Sequence, residues 1–291
     1  MNQQNNDLIQ PYLMSERVTK EGLVVLDDIT YLPLHGEAYI SPFAVVSLCT
    51  KGFCKCEYDG VSTIINEHDI CIMPTKHIFK AGDVSSDYHV RLIVLSEDFA
   101  GIFKRNNQIG IHTHIEYDLA HPRLHLSDKQ FYQINVAFDL LKAVSDIGTL
   151  YRKDMMLNIF NTIMMMRHEF SPPSNTHSLN NGRMLSAIFK QTVIDHHSES
   201  HEVSYYARIF NLSPKYFSTL IKQEMGISAT EWINNYIALR AKSILAQQKD
   251  ISMQQISDLL GFTEQTSFSR FFKRNFGISP MQFRAQIKHK K

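Results

Sequence analysis

Gln265, Thr266, Arg270, Lys273 and Arg274 stand within ten residues of one another and bring an amide, a hydroxyl and three cations to one short stretch. Such a set suits a nucleic acid. The guanidinium of Arg270 can donate two parallel hydrogen bonds to a guanine edge, and the Gln265 carboxamide can form a similar pair with adenine. Lys273 and Arg274 lie further along and suit phosphate oxygens, which hold a protein in register without carrying sequence information. A second set lies upstream, with Lys215, Ser218 and Thr219 as base-reading candidates and Lys222 as a phosphate candidate. Its short hydroxyls make weaker direct readers than Arg270, so the upstream set is expected mainly to position.

These side chains can act together only if they project from one face of a helix held at a fixed angle. The stretch Ser252–Arg284 contains what that requires. Ser252 and Gln255 form a capping box, and Met253, Ile256, Leu259 and Leu260 recur at helical spacing. Gly261 permits a left-handed corner, Phe262 follows as an apolar plug, and Phe268, Phe271, Phe272 and Phe276 line the inner side of a second helix. The unit occurs twice. Leu212–Ser228 repeats Phe262–Ser279 at an offset of 51, pairing Phe217 with Phe268, Lys222 with Lys273 and Gly226 with Gly277. Upstream of a one-residue insertion the offset is 50, and Asn211 stands for Gly261. Asn and Gly are the residues that best tolerate a left-handed backbone.

The two units are expected over 202–226 and 252–277, with structural turns at Asn211, Gly226, Gly261 and Gly277. Between them, Ser228 and Glu231 open a helix expected over 229–248. Its length of about 28 Å approaches the roughly 34 Å between successive major-groove faces of DNA. Lengthening it after Ala241 is expected to rotate one module against the other while leaving both cores intact.

Two such modules on a long helix, with GF…TSFSRFFKRNFGISPMQFR closing the second, resemble the DNA-binding domain of the AraC/XylS family of bacterial transcription regulators, over about Leu185–Ile287. The resemblance implies double-stranded DNA as the partner and a cupin-like N-terminal barrel that senses a small-molecule effector. RNA polymerase is a further candidate partner. HDICIMPTKH at His68–His77 is similar to the second half of a cupin motif, with His68 where that pattern has its turn glycine. No upstream HxH with a following Glu completes a metal triad.

Composition agrees with this division. The chain has 291 residues, 44% of them hydrophobic, enough for two cores. Its net charge of +1 conceals an asymmetry: residues 181–291 carry 15 basic and 8 acidic side chains, net +7, and residues 1–180 carry 15 and 21, net −6. Only the second half is built to approach a polyanion. No apolar run reaches the roughly 18 residues of a membrane span, and the polar start MNQQNNDLIQ is no signal peptide, so a cytoplasmic protein is expected.

The expected fold class is α+β, with a cupin-like barrel and following helices over 1–170, a linker over 171–182 and an all-α DNA-binding domain over 183–291. Residues 1–20 read as a loose tail, and short β-branched runs separated by turn residues begin at Leu23. Pro33, Pro42 and Pro74 belong at strand ends. Helical stripes follow, Phe131, Ile134, Phe138 and Leu141, then Met156, Ile159, Ile163 and Met166. These fit equally a cover for the barrel or a homodimer seam through the helices of 127–170. Met184, Ile188 and Val193 begin a helix that should brace the first module.

Cys49, Cys54, Cys56 and Cys71 fall in apolar runs with no paired CxxC spacing, and His112 and His114 lack a third partner. No metal, cofactor or catalytic residue is assigned, and the ligand pocket is not legible. The chain therefore reads as a DNA-binding regulator and not an enzyme. Three alternatives stand beside it: a constitutive binder with a vestigial sensor, a cupin-type enzyme fused to a DNA-binding adaptor, which would need the missing metal triad, and a DNA-modifying enzyme carrying the same domain as an adaptor, which would need a reactive cysteine in a polar, activated setting.

Overall fold

The apolar runs from Leu23 onward pair as two antiparallel sheets. The computed structural model describes residues 15–30, 36–106, 117–171, 182–248 and 250–289. Pro33, His112, His114 and all but the end residues of the 171–182 linker lie outside them. The strands are β1 (Leu23–Ile29), β2 (Ala38–Ile40), β3 (Ala44–Lys51), β4 (Phe53–Tyr58), β5 (Val61–Asn66), β6 (Asp69–Met73), β7 (Ile78–Val84), β8 (His89–Leu95) and β9 (Arg123–His125). One sheet runs β1-β8-β3-β6-β9 and the other β2-β7-β4-β5. For the first eight strands this is the order of a double-sheet jelly roll, the architecture of cupins. The two sheets face each other without closing into one hydrogen-bonded ring, and the class is α+β.

The five-stranded sheet is buried on both faces, which explains why β1 and β8 read as almost unbroken apolar runs. Strand residues alternate sides. Leu23, Val25, Ile93 and Leu95 pack towards helices, whereas Val24, Leu26, Leu92 and Val94 meet the second sheet. The helices are α3 (Asp128–Ser145) and α4 (Arg152–Phe170), which follow α1 (Ser15–Glu21) and α2 (Glu97–Asn106). Ile134, Phe138, Leu141, Met156 and Ile163 are buried against the sheet, with Phe131, Ile159 and Met166 partly buried beside them. Both stripes read from the sequence thus cover the sheet. The outer side of α3 carries another apolar row, Tyr132, Val136 and Leu140, at 69%, 46% and 53% exposure.

Three local points refine the sequence reading. Residues 15–21 are helical and not a loose tail, because Val18 is drawn into the core between the sheets. Pro42 and Pro74 fall outside the strands, where a missing N–H breaks no ladder. His68 adopts the left-handed backbone of the glycine it replaces, with φ 68°, and its ring stacks on Phe131 at 4.1 Å.

The chain divides into two compact units, Met1–Ser178 and Leu179–Lys291. The second is all helical: α5 (Gly182–His196), α6 (Val203–Ile209), α7 (Pro214–Met225), α8 (Ala229–Gln247), α9 (Met253–Leu259), α10 (Gln265–Phe276) and α11 (Pro280–His289). Phe189 of α5 packs edge-on against Phe217 of α7 at 5.4 Å and tilted against Trp232 of α8 at 5.8 Å. The far half of α8 sends Ala241, Ile244 and Leu245 into a core with Ile256, Leu260, Phe268 and Phe272. Ala241 is fully buried there, so the expectation that an insertion after it spares both cores is wrong. The connector is a wall of the second module as well as a rod. Leu259 also departs from its expected place, being half exposed while Ile256 and Leu260 carry the inner face of α9.

Candidate nucleic-acid interface

Each module is two helices about a tight corner, and the corners match bond for bond. In the first, Asn211 has φ 54°, its N–H donates to Arg208 at 3.0 Å, and Leu212 N–H donates to the Ala207 carbonyl at 2.9 Å. In the second, Gly261 has φ 75°, its N–H donates to Asp258 at 3.0 Å, and Phe262 N–H donates to the Ser257 carbonyl at 3.0 Å. The two side chains differ because their surroundings differ. Asn211 is exposed, whereas a Cβ on residue 261 would lie 2.4 Å from the Ser198 carbonyl oxygen.

The second helix of each module is then capped and anchored. Ser213 accepts from Tyr216 N–H, and Pro214 sits at the first helical position, where no backbone donor is needed. Gly226 and Gly277 end α7 and α10 in the left-handed conformation, with φ 74° and 79°. Phe217 and Ile221 in α7 are fully buried, as are Phe268 and Phe272 in α10. Phe262 braces α10 from outside, 5.7 Å from Phe268 and 5.2 Å from Phe271.

With the inner faces anchored, Lys215, Thr219 and Lys222 of α7 and Gln265, Thr266, Arg270, Lys273 and Arg274 of α10 are exposed, and Ser218 is half-buried. Lys215, Thr219 and Lys222 follow one another at i, i+4 and i+7, as do Thr266, Arg270 and Lys273, so each forms one stripe along its helix. Hydrogen bonding divides the candidates further. Ser218 Oγ donates to the Pro214 carbonyl at 2.7 Å and Thr219 Oγ1 to that of Lys215 at 3.0 Å. Thr266 Oγ1 donates to Glu264 Oε2 at 2.9 Å. Each hydroxyl has committed its one proton and keeps only acceptor capacity. Lys215, Gln265 and Arg270 carry no such bond among the described residues. The Arg274 guanidinium lies over the Phe271 ring at 5.6 Å, which draws it towards its own helix.

Two features of this surface escaped the sequence reading. Tyr216 is 55% exposed beside Lys215. Glu264 places a carboxylate at the start of α10, where it holds Thr266.

A family model described as a helix-turn-helix domain matches residues 206–286, from within α6 to within α11. Over 96 residues the chain is 34% identical to the arabinose operon regulatory protein of Salmonella typhimurium, covering 33% of this chain and 34% of that protein. The C-terminal unit belongs to the AraC/XylS helix-turn-helix family. Its other relatives include the Escherichia coli arabinose operon regulatory protein, 29% identical over 141 residues, which are 48% of this chain and 47% of that one. The uncharacterized regulator YtdP of Bacillus subtilis is 36% identical over 95 residues, 32% of this chain and 12% of that one. The chain thus spans half or less of the length of the curated relatives it matches. Among solved structures, the C-terminal domain of AraT from Geobacillus stearothermophilus aligns at 29% identity and TM-score 0.33, covering 35% of this chain and 84% of that one. ToxT from Vibrio cholerae with an unsaturated fatty acid bound aligns at 14% identity and TM-score 0.44, covering 90% and 94%. The AraC/XylS match includes both corners, α7, α10 and all of α8.

The N-terminal unit holds a cavity of about 120 Å³ between its sheets. Phe43, Val45, Ile65, Leu92 and Val94 give it apolar walls, and Tyr58 and Arg123 supply polar groups. Tyr58 Oη and Asp59 Oδ2 both lie within hydrogen-bond reach of His77 Nδ1, at 3.1 and 2.7 Å. Burial holds the Tyr58 phenol well above its usual pKa, so it stays protonated. Burial also pushes the Cys49 and Cys71 thiols up to about 12. A hydrogen bond with Cys56, and then burial, raises Cys54 as well. Among the described residues no three His, Cys, Asp or Glu side chains converge as metal ligands.

Proposed function

We propose that this protein is a sequence-specific transcription regulator that binds double-stranded DNA through α7 and α10. One observation carries the reading: two corners of identical hydrogen bonding present equivalent exposed stripes in a half of the chain with net charge +7. Lys215, Gln265 and Arg270 are the base readers with donors to spare, while Ser218, Thr219 and Thr266 offer acceptors. Lys222, Lys273 and Arg274 hold phosphates. The modules repeat in tandem, so the site is an asymmetric sequence of about 20 base pairs, two turns of DNA, and not a palindrome. Footprinting on DNA selected from a random pool tests this. Protection of a single turn, or equal affinity for all sequences, would overturn it.

The cavity between the sheets supports a small-molecule effector. Its volume is near the roughly 150 Å³ of an engineered cavity that binds benzene, which favours a compact, largely apolar compound with one or two hydrogen-bonding groups for Tyr58 and Arg123. Gel-shift titration with and without such compounds separates a switched regulator from a constitutive binder. The outer row Tyr132, Val136 and Leu140 supports pairing with a second copy. An antiparallel pairing centred on Val136 would set Tyr132 of each copy against Leu140 of the other. Sedimentation of Val136→Glu against wild type tests it, and an unchanged mass would rule this face out. The raised pKa values of Cys49, Cys54 and Cys71 keep these three thiols protonated at neutral pH, which weighs against a DNA-modifying enzyme that uses one of them as nucleophile. The proposed regulator acts in the cytoplasm with RNA polymerase as a further partner; no helix among the described residues is long and apolar enough to cross a membrane.

A further inference from the structure

The two reading modules touch each other away from α8. The segment before α6 belongs to the first module, where Tyr206 Oη donates to the Ser200 carbonyl at 2.8 Å and Tyr205 Oη to Glu199. This pinned segment meets the corner of the second module. His201 Nε2–H donates to the Leu260 carbonyl at 2.7 Å, at the end of α9. The His201 ring stands edge-on to Phe262, 4.8 Å between centroids at 71°. The Ser198 carbonyl fills the space that a Cβ on Gly261 would need. Phe262 in turn rests on Phe268 and Phe271, the inner face of α10.

A single connecting helix leaves its two ends free to twist and bend about one axis. A second attachment off that axis removes this freedom. Of the three contacts, only His201 reaches across with a side chain, giving both a hydrogen bond and a ring contact. We propose that His201 is a positioning residue that locks α10 against α7 and thereby sets how many base pairs the protein accepts between the two halves of its site. This rests on the DNA-reading function proposed above. His201 touches no base in this role. It acts through Leu260 and Phe262, and its removal loosens spacing without altering which bases each half prefers.

The test uses the full chain and DNA selected from a random pool by the wild-type protein, rebuilt with one base pair added or removed between the halves. Wild type should bind the native spacing best. His201→Ala should lose about three- to tenfold on native spacing, the size of one hydrogen bond's net contribution, and should discriminate less between the three spacings. His201→Gln, whose amide can donate from nearly the same position, should recover the spacing preference, and His201→Phe, which keeps only the ring, should not. The base preference within each half should stay the same in all variants. Unchanged spacing discrimination in both His201→Ala and His201→Phe would overturn the proposal, as would an equal loss on every spacing and on random DNA. If His201→Ala does not fold, His201→Phe against His201→Gln carries the comparison. A wild-type protein that selects no sequence would instead overturn the DNA-reading function itself.

Discussion

The Cβ that Gly261 lacks would lie 2.4 Å from the carbonyl oxygen of Ser198. The second corner is therefore constrained twice, by its left-handed φ of 75° and by a backbone atom from the segment before the first module. Gly261→Ala should destabilise the C-terminal unit by more than the roughly 1–2 kcal/mol that a left-handed backbone costs an ordinary residue, because the obstructing atom is backbone and cannot turn aside. Asn211→Ala, at an exposed corner, should cost only the backbone share. Urea unfolding of both variants checks the difference, and equal costs would remove Ser198 from the account.

Arg270→Ala should cost about 1–3 kcal/mol on the selected site and relax the preference at one base pair, whereas Lys273→Ala should weaken all sequences alike. Competition binding against specific and random DNA tells them apart. Equal losses for Arg270→Ala on both would move it to the phosphate group.

Residues 182–291 hold both modules, α8 and the +7 charge, so this fragment should fold and bind DNA alone. Its log affinity against log salt should fall by about 0.9 per phosphate contact. Two alanines inserted after Ala241 in the same fragment should unfold the second module, because Ala241, Ile244 and Leu245 would turn out of register with Ile256, Leu260 and Phe272. Circular dichroism should show lost helix and a lower melting temperature. A variant as stable as wild type would mean that α8 is a rod after all.

Burial, outweighing a hydrogen bond to the Ile194 carbonyl, holds the His197 imidazole below its ordinary pKa of 6.5. The unfolded chain thus takes up a proton at a higher pH than the folded one, so folding stability falls as pH drops below about 6.5 through the folded pKa. Melting of the 182–291 fragment at pH 7.5 and 5.5 should show this loss, and His197→Gln should shrink the pH dependence. An unchanged pH profile in the variant would assign it to other groups.

Much of the C-terminal unit could be read from the chain because its signals are local. A capping box at Ser252 and Gln255, a corner residue that tolerates positive φ and a phenylalanine stripe at helical spacing each act within a few residues. Repetition at offsets of 50 and 51 let one copy corroborate the other. The helical stripes after the barrel were visible for the same reason, but periodicity shows only that a face is apolar. Burying Ile134, Phe138 and Met156 against the sheet left Tyr132, Val136 and Leu140 outside, a distinction settled by what each face met.

What the sequence by itself determined is the helices of the two modules and their connector, their caps and corners, and most of the residues that share a face, since these follow from backbone preferences and side-chain spacing. What only the tertiary structure decided is which contacts join elements far apart in the chain. The His201 bond to Leu260 spans 59 residues, the burial of Ala241 in the second module depends on three other helices, and the cavity lined by β3 and β8 of one sheet and β4 and β5 of the other is one that no short motif announces. Local rules fix where a side chain points on its own helix or strand. What it meets depends on packing between elements, and that is settled only when the whole chain folds.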